Sequence, residues 1–321
     1  MTRRDVTKQD LRRFIKREKK DMDTMENAAV DAEKKREAAN KYKDYDVRPD
    51  VMNAEDIMNM VPQLRGHDKL VKKVMHLLML DEVNRVHGAW CYDPGPAFAR
   101  HLLDDEFHVP LRVDNEEILA NFKEGAFITV SNHPFGSIDG IALIALVTKY
   151  RPEYKVMVNM ILGKISAMGP NFIKVDQSQS AESDKRRVSV NGIREAIRQL
   201  KNGEPLGFFP AGAMSKSNWH NFLVDREWQH SVLQIIAKAK VPVIPIYFHG
   251  NNSWWFNFWG HVCWPLRSLL LPRQLFNHKK NREMHISVGE PITPEEQARF
   301  KGDAVALGKY LREKTYELAK E

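Results

Sequence analysis

One histidine and one aspartate lie close together in a segment whose composition is typical of a tight loop. Pro134 and Gly136, which favour turns, follow His133, and Asp139 comes six positions after the histidine. A carboxylate folded back on an imidazole fixes its tautomer and stabilises the imidazolium that forms when the histidine accepts a proton. The spacing indicates a candidate general base, His133, oriented by Asp139. A histidine held in a turn, followed by an aspartate that caps the next helix, would give the same sequence pattern. The pair alone therefore leaves both interpretations open.

The elements around this loop are those that position reacting groups in α/β enzymes. An apolar run at 126–130 predicts a strand before the loop, and the run from 139 to 150 predicts a helix after it. A rigid strand that ends in an exposed loop holds a reacting side chain in a fixed place. The sequence context therefore favours a functional role for the loop.

Strands and helices alternate along the rest of the chain. We predict strands at 126–130, 155–159, 172–175, 205–209, 241–248 and 284–288, and helices near 54–88, 139–150, 184–202 and 225–240. Gly203 has the position of a glycine that ends a helix, and Thr293 that of a helix cap. The pattern predicts an α/β fold: a mixed, largely parallel central sheet flanked by helices, with an N-terminal helical segment at 1–90 and the α/β domain at 91–321.

Four sequence blocks occur in an order that resembles one known family. They are N-H-P-F-G-S-I-D at 132–139, G-P-N-F-I-K-V at 169–175, F-P-A-G-A-M-S at 209–215 and V-P-V-I-P-I at 241–246. These resemble the N-H-x-x-x-x-D, G-x-x-F-I-x-R, F-P-E-G-T-R-S and V-P-I-I-P-V blocks of the glycerolipid and lysophospholipid acyltransferases. One block alone would be weak, whereas four in order are specific.

The resemblance implies a mechanism and a set of site residues. In that family the histidine deprotonates an acceptor hydroxyl, which attacks the thioester of an acyl-CoA or acyl carrier protein; no metal or other cofactor takes part. Backbone N–H groups near Gly212 and Ala213 are candidate donors to the oxyanion. The catalytic candidates are His133 and Asp139. The substrate-binding candidates are Asn132, Gly136, Lys174, Phe209, Pro210, Gly212, Ser215, Lys216, Pro245 and Asn252.

Departures from the family pattern affect the expected acceptor. Five residues rather than four separate His133 from Asp139, and Val175 and Met214 stand where the family has arginines that grip a phosphate. Arginine binds phosphate through two hydrogen bonds, which neither replacement can supply. Lys174 and Lys216 are nearby in sequence and would act only as point charges. The chain also resembles a hemolysin-like subgroup that includes O-acyltransferases of ornithine and glycine lipids, so a lyso-aminolipid is the expected acceptor, ahead of 1-acylglycerol 3-phosphate.

An aromatic segment at 253–273 holds four of the seven tryptophans. Tryptophan is favoured where acyl chains meet lipid headgroups. A membrane-facing surface, an aromatic core and the wall of an acyl-chain tunnel all fit this composition. A non-enzymatic membrane-binding protein would share this segment, but that interpretation leaves the His133 loop without a role.

Charge and hydropathy limit the partners. The formal net charge of +7 suits nucleic acid or anionic lipid, but no nucleic-acid-binding motif is present, so we expect none. No signal-peptide pattern and no uninterrupted apolar run long enough for a membrane span occurs. Two cysteines and no metal-ligand spacing predict neither a disulfide nor a metal site. We therefore expect a peripheral or monotopic protein on the cytoplasmic face of the inner membrane.

Overall fold

Seven strands form one sheet in the computed structural model, which describes residues 45–175, 183–217, 223–262 and 269–320. The strands are β1 Leu111–Asp114, β2 Ile128–Ser131, β3 Lys155–Asn159, β4 Phe172–Val175, β5 Leu206–Phe208, β8 Val243–Phe248 and β9 Met284–Val288. A separate antiparallel pair consists of β6 Lys216–Ser217 and β7 Leu223–Val224. All six predicted strands are confirmed within two residues at each end. The short edge strand β1 was not predicted.

The order of the sheet is β1-β9-β8-β2-β5-β3-β4, and every neighbouring pair is parallel except β8 and β9. Strand β2 is the fourth of the seven and has a parallel neighbour on each side. Its carboxyl end therefore opens next to the carboxyl ends of β5 and β8, where ligands of open α/β sheets bind. The predicted mixed, largely parallel sheet is confirmed.

Helices cover both faces of the sheet. They are α1 Ala54–Met60, α2 Asp68–Leu77, α3 Leu80–Trp90, α4 Pro96–Arg100, α5 Glu117–Asn121, α6 Ile138–Val147, α7 Ser183–Lys201, α8 His230–Ala239, α9 Trp254–Val262, α10 Leu271–His278, α11 Pro294–Ala298 and α12 Ala304–Glu317. A π-helical turn, His101–Glu106, and four 3₁₀ helices, Pro62–Leu64, Met160–Lys164, Ser166–Asn171 and Leu318–Lys320, complete the list. Among the described residues, no helix combines the length and apolar character that a membrane crossing requires.

Two apolar layers sandwich the sheet because successive strand residues point to opposite faces. Ile244 and Ile246 of β8 pack in the layer that contains α4 and α6. Val243 of β8 and Val130 of β2 pack in the other layer, against α8 and α12. Helix α6 is buried on almost every side. Its first turn, which carries Asp139, is therefore held in a fixed place after the carboxyl end of β2.

Two helix predictions need correction. The stretch at 54–88 is not one helix. Pro62 starts a separate 3₁₀ turn, and left-handed backbone at Gly66 (φ 80°) and at Met79 (φ 58°) interrupts the helix twice more. The helix predicted at 225–240 begins only at His230, because the preceding Gln229 is extended and donates its N–H to the Pro210 carbonyl at 2.8 Å. The segment before His230 is therefore free to approach the His133 loop.

The helix ends assigned to Gly203 and Thr293 are confirmed. Gly203 has φ 80° after α7, and the Thr293 side chain accepts the Glu296 N–H at the start of α11. The boundary placed at residue 90 stays a prediction. The described helices before it contact the α/β region: the buried His87 ring of α3 bonds the Pro49 carbonyl at 2.8 Å and accepts the Ala167 N–H at 3.3 Å. Residues 1–44 of the N-terminal helical segment predicted at 1–90 lie outside the described residues.

Candidate active site

The loop between β2 and α6 brings His133 and Asp139 together. Nδ1 of His133 lies 2.9 Å from Oδ2 of Asp139, and the imidazole remains partly exposed while the carboxylate is fully buried. The turn is tight because Gly136 takes up left-handed backbone, at φ 83°. Although five residues separate the pair, the loop closes on itself, and the predicted contact between imidazole and carboxylate is confirmed.

Asp139 is held ionised by its surroundings. Burial disfavours the carboxylate, but the His133 ring and the N–H groups of Phe135 (3.0 Å) and Gly136 (3.2 Å) outweigh it, so the pKa of Asp139 lies below its usual value. A further N–H, from Gly140, donates to Oδ1 at 3.0 Å. Because an ionised Asp139 is a hydrogen-bond acceptor only, Nδ1 of His133 carries the proton and Nε2 is the basic nitrogen.

The segment 209–215 packs directly against this loop. The Phe209 ring lies 4.3 Å from the His133 ring, centroid to centroid, and the Ser215 N–H donates to the His133 carbonyl at 2.8 Å. Met214 fills the space beside Gly136, where a Cβ would come within 2.7 Å of its sulfur. Two blocks that lie about eighty residues apart in the sequence thus form one site.

Gly212 and Pro210 shape the backbone of the segment 209–215. Gly212 has φ 65°, and a Cβ there would lie 2.0 Å from the Gln229 side chain. Its N–H donates to the Phe209 carbonyl at 2.9 Å, so it is not available to an oxyanion in this conformation. The buried Pro210 contributes its carbonyl to the N–H of Gln229.

Asn132 and Asn252 hold the loop from both sides. The Asn132 amide bridges to β8: Oδ1 accepts the Phe248 N–H at 2.7 Å and Nδ2 donates to the Phe248 carbonyl at 2.9 Å. Nδ2 of Asn252 donates to the Pro134 carbonyl at 3.0 Å, and Oδ1 of Asn252 accepts from Gln274 at 3.3 Å. Both amides are buried and position the loop; their assignment as substrate-binding residues stays a prediction.

The remaining predicted residues lie on strands and not on the His133 loop itself. Lys174 is exposed on β4, the outermost strand, three strands from β2. Lys216 is exposed on β6, and Pro245 is buried within β8, opposite Val130. Their substrate-binding roles stay predictions.

Comparisons with known proteins show which proteins this chain resembles. A sequence model of the family described as Acyltransferase matches residues 110–249, a range that contains His133, Asp139 and the segment 209–215. The chain is 26% identical over 199 residues to a lyso-glycine lipid O-acyltransferase of Bacteroides thetaiotaomicron, covering 57% of this chain and 70% of that protein. A protein of the same name from Phocaeicola vulgatus is 25% identical over 204 residues, covering 58% and 70%.

The chain matches the Acyltransferase family over residues 110–249 and is similar to two lyso-glycine lipid O-acyltransferases, which confirms the resemblance to the glycerolipid acyltransferases that its sequence blocks indicate. It is therefore an enzyme that transfers acyl groups, and the interpretation as a non-enzymatic membrane protein is wrong. Among solved structures, the 1-acyl-sn-glycerophosphate acyltransferase PlsC from Thermotoga maritima aligns with a TM-score of 0.45 and 17% identity, covering 78% of this chain and 87% of that one.

The acyltransferase has a second buried carboxyl near the loop, which the sequence did not indicate. Asp225 accepts the Ser215 hydroxyl, and its own N–H donates to the Tyr316 hydroxyl of α12 at 3.1 Å. Burial raises the pKa of Asp225 above its usual value, although Ser215 and His133 act in the opposite direction. The helix predicted at 225–240 would begin at Asp225, and an acidic residue is ordinary at a helix start.

An apolar cavity of about 240 Å³ begins beside the loop. Ser137 and Ile141, from the start of α6, line one part of it, Val86 of α3 and Phe98 of α4 line another, and Leu271 and Leu275 of α10 a third. The region 253–273 thus contributes Leu271 and Pro272 to a cavity wall, and its role as the wall of an acyl-chain tunnel stays a prediction.

Helix α9 presents its tryptophans to solvent. Trp254, Trp255 and Trp259 are 55%, 64% and 40% exposed, whereas Phe256 and Asn257 of the same helix are buried. The interpretation of this helix as an aromatic core is therefore wrong for its three tryptophans. The part of the aromatic segment at 263–268 lies outside the described residues.

Three groups from separate strands also meet within the described parts of the chain. Asp114, His249 and His285 bring potential ligand atoms within 4.8 Å of one another, a proximity that sequence spacing does not reveal. The two imidazole rings stack at 4.0 Å, Asp114 bonds both His285 and Ser287, and Ser287 bonds His249. The side chains already satisfy one another across β1, β9 and the end of β8, as a structural network does.

Proposed function

We propose that this acyltransferase moves a fatty acyl group from acyl carrier protein or coenzyme A to the hydroxyl of a lyso-aminolipid, with His133 as general base. The observation that carries the proposal is the contact between His133 and the buried, ionised Asp139 at the carboxyl end of β2. That contact leaves Nε2 as the basic nitrogen of a ring that is still partly exposed. A base must reach the proton that it removes, and this ring meets that requirement.

The reaction then proceeds by direct acyl transfer. Nε2 of His133 takes the proton of the acceptor hydroxyl while the hydroxyl oxygen attacks the carbonyl carbon of the thioester. A C–O bond forms, the C–S bond breaks, and the imidazolium returns the proton to the departing thiolate. Asp139 stabilises the imidazolium in between. Neither a metal nor another cofactor is needed for this sequence of steps.

An acceptor without a phosphate is favoured by the residues that replace the family's arginines. Val175 is a buried residue of β4, and Met214 is buried against Gly136. Lys174 and Lys216 are exposed, with Lys174 on the far edge of the sheet, so neither restores a two-bond phosphate grip. Both relatives named above acylate a lyso-glycine lipid, according to their names. An amino-acid headgroup therefore fits better than a phosphate monoester.

The apolar cavity beside α6 supplies a place for an acyl chain. Its lining is almost entirely aliphatic and aromatic, and it starts two residues before Asp139, at Ser137. An acyl chain held there would be withdrawn from water while its carbonyl end stays near His133. Burial of the chain would fix the reacting carbonyl in orientation as well as in distance.

Attachment to the membrane surface is supported by helix α9. Three exposed tryptophans on a short helix suit the boundary between headgroups and acyl chains, and the exposed Arg273 lies on the adjacent α10. The helix starts two residues after Asn252, which holds the His133 loop. We place the enzyme on the cytoplasmic face of the inner membrane, where acyl thioesters and lysolipids meet.

The test is acyl transfer by the purified enzyme from labelled acyl carrier protein or acyl-CoA to lyso-glycine lipid, with lysophosphatidate as the competing acceptor. We expect transfer to the lyso-glycine lipid, and a loss of about 10²–10⁴-fold for His133→Ala. His76→Ala is the matched control because His76 is exposed and also lies beside a carboxylate, Asp81. Transfer to lysophosphatidate alone would overturn the acceptor, and full activity of His133→Ala would overturn the mechanism.

A further inference from the structure

Lys279 is a cation placed beside the catalytic loop by the helix that also lines the apolar cavity. It follows α10 directly, and its Nζ lies 3.6 Å from the centroid of the Phe135 ring. The same ammonium donates to the Asn251 carbonyl at 3.0 Å. Phe135 is part of the loop that folds Asp139 onto His133, so the charge of Lys279 lies against the site and not on a distant surface.

Among the residues that the structure describes, the ammonium contacts only neutral groups. Within the described residues no carboxylate is close enough to form an ion pair with it, and Asp139 acts on it through space while bonding His133 and three backbone N–H groups. Burial lowers the pKa of Lys279 to about 8, although Asp139 opposes that shift. A half-buried cation that has lost water without gaining an anion is stabilised by any anion that binds next to it.

We propose that the ammonium of Lys279 binds the carboxylate of the acceptor's amino-acid headgroup. The inference rests on the proposed function, because an amide-linked amino acid keeps a free carboxylate where a lysophosphatidate has a phosphate. A lysine that donates to one carbonyl and lies over one ring still has donors for a carboxylate oxygen. A point charge also suits a small carboxylate, which does not demand the two-bond fork that arginine offers to phosphate.

The proposed contact completes the placement of the acceptor. Its headgroup would be held by Lys279 on one side of the loop while its hydroxyl is presented to Nε2 of His133. Because the interaction is with a group remote from the reacting oxygen, its main effect should be on acceptor binding and so on KM. The acceptor's hydroxyl would still react, once bound, by the same proton transfer.

The experiment compares two acceptors that differ only in charge: lyso-glycine lipid and its neutral primary amide. We expect Lys279→Met to raise KM for the acid about tenfold with little change in kcat, and to leave both constants for the amide unchanged. Lys280→Met, at the exposed next residue, is the matched control and should leave both acceptors unaffected. Lys279→Arg, which keeps the charge, should recover part of the affinity for the acid.

The outcomes separate this inference from the proposed function. If the wild-type enzyme acylates neither acceptor, the proposed function fails. If the wild type acylates the acid but Lys279→Met weakens acid and amide equally, Lys279 has only a structural role and the inference fails. Activity of Lys279→Met on the neutral amide serves as the folding control, and a variant that is inactive on both acceptors is replaced by Lys279→Gln, which keeps a donor to the Asn251 carbonyl.

Discussion

The Asn252 side chain donates to the Pro134 carbonyl at 3.0 Å, so a residue two positions before the tryptophan-bearing helix also fixes the turn of the His133 loop. Asn252 is buried, and its other amide atom accepts from Gln274 of α10. His133, the proposed general base, therefore depends for its position on a side chain 119 residues later in the sequence.

Replacing this amide tests that dependence. Asn252→Ala leaves the Pro134 carbonyl and the Gln274 amide without their partner in a buried place, which costs about 1–3 kcal/mol for a lost buried hydrogen bond. We expect lower stability in urea unfolding and a fall in kcat larger than the change in KM. Gln274→Ala removes the bonds of Gln274 to Asn252 and Ser253 but spares the bond to Pro134, so it should affect kcat less. Equal effects on kcat would contradict the assigned role.

Gly136 permits a close contact as well as a left-handed backbone. Gly136→Ala adds a Cβ 2.7 Å from the Met214 sulfur, at a φ that alanine adopts with strain. Gly125→Ala is the matched control because Gly125 has nearly the same φ, 78°, with no atom within 4 Å of the added Cβ. We expect both variants to unfold more easily, by about 1 kcal/mol for the backbone. Gly136→Ala should also lose activity, and Met214→Ala in the same chain should restore part of it.

Asp139→Asn keeps the shape of the acid and removes its charge. The amide can present a donor to Nδ1, which favours the wrong histidine tautomer, and we expect kcat to fall by about 10³–10⁴-fold. The variant should also be less stable at neutral pH. Since the pKa of Asp139 is lowered by folding, its stabilising contribution is present above about pH 4 and is lost as the pH falls below that value.

Urea unfolding of the wild type and Asp139→Asn at several pH values checks the second point. The difference in unfolding free energy should shrink as the pH falls. A difference that stays constant down to pH 3 would mean that the charge of Asp139 does not stabilise the fold.

The exposed tryptophans of α9 should govern membrane binding. A variant with serine at Trp254, Trp255 and Trp259 should bind vesicles that contain anionic phospholipid at least tenfold more weakly, measured by co-sedimentation, with an unchanged melting temperature. Tyr92→Ser is the matched control, since Tyr92 is 71% exposed and lies outside α9. Unchanged vesicle binding by the triple variant would remove the support that α9 gives to attachment.

Local patterns predicted what local interactions determine. The strands at 155–159, 172–175 and 284–288 have the predicted bounds because short apolar runs between turn residues have few alternatives. The pairing of His133 with Asp139 followed from the same kind of information, since both residues belong to one turn. The prediction of one long helix at 54–88 is wrong where Met79, with left-handed backbone, interrupts it. A methionine in the sequence gives no indication of that backbone conformation.

Long-range contacts decided the rest of the site. Lys174 and Lys216 looked suited to replace missing arginines because they are neighbours of the motifs, but strand geometry leaves both exposed. Lys279 and Asp225 belong to no motif, and only the packing of α10 and of the extended segment before α8 brings them to the loop. Gly212 uses its N–H within its own turn, a bond that depends on the φ of the folded chain.

Helix α10 contributes both to the apolar cavity and to the support of the His133 loop. Leu271 and Leu275 line the cavity, while Gln274, between them, bonds Asn252, which holds the turn of the loop. If the cavity holds the acyl chain, as proposed above, a mutation that reshapes it for longer or shorter chains also disturbs the support of the His133 loop. Under the proposed function, chain-length preference and turnover are therefore linked through α10. Homologues that adapt to a different fatty-acid pool should carry compensating changes at positions 252 and 274.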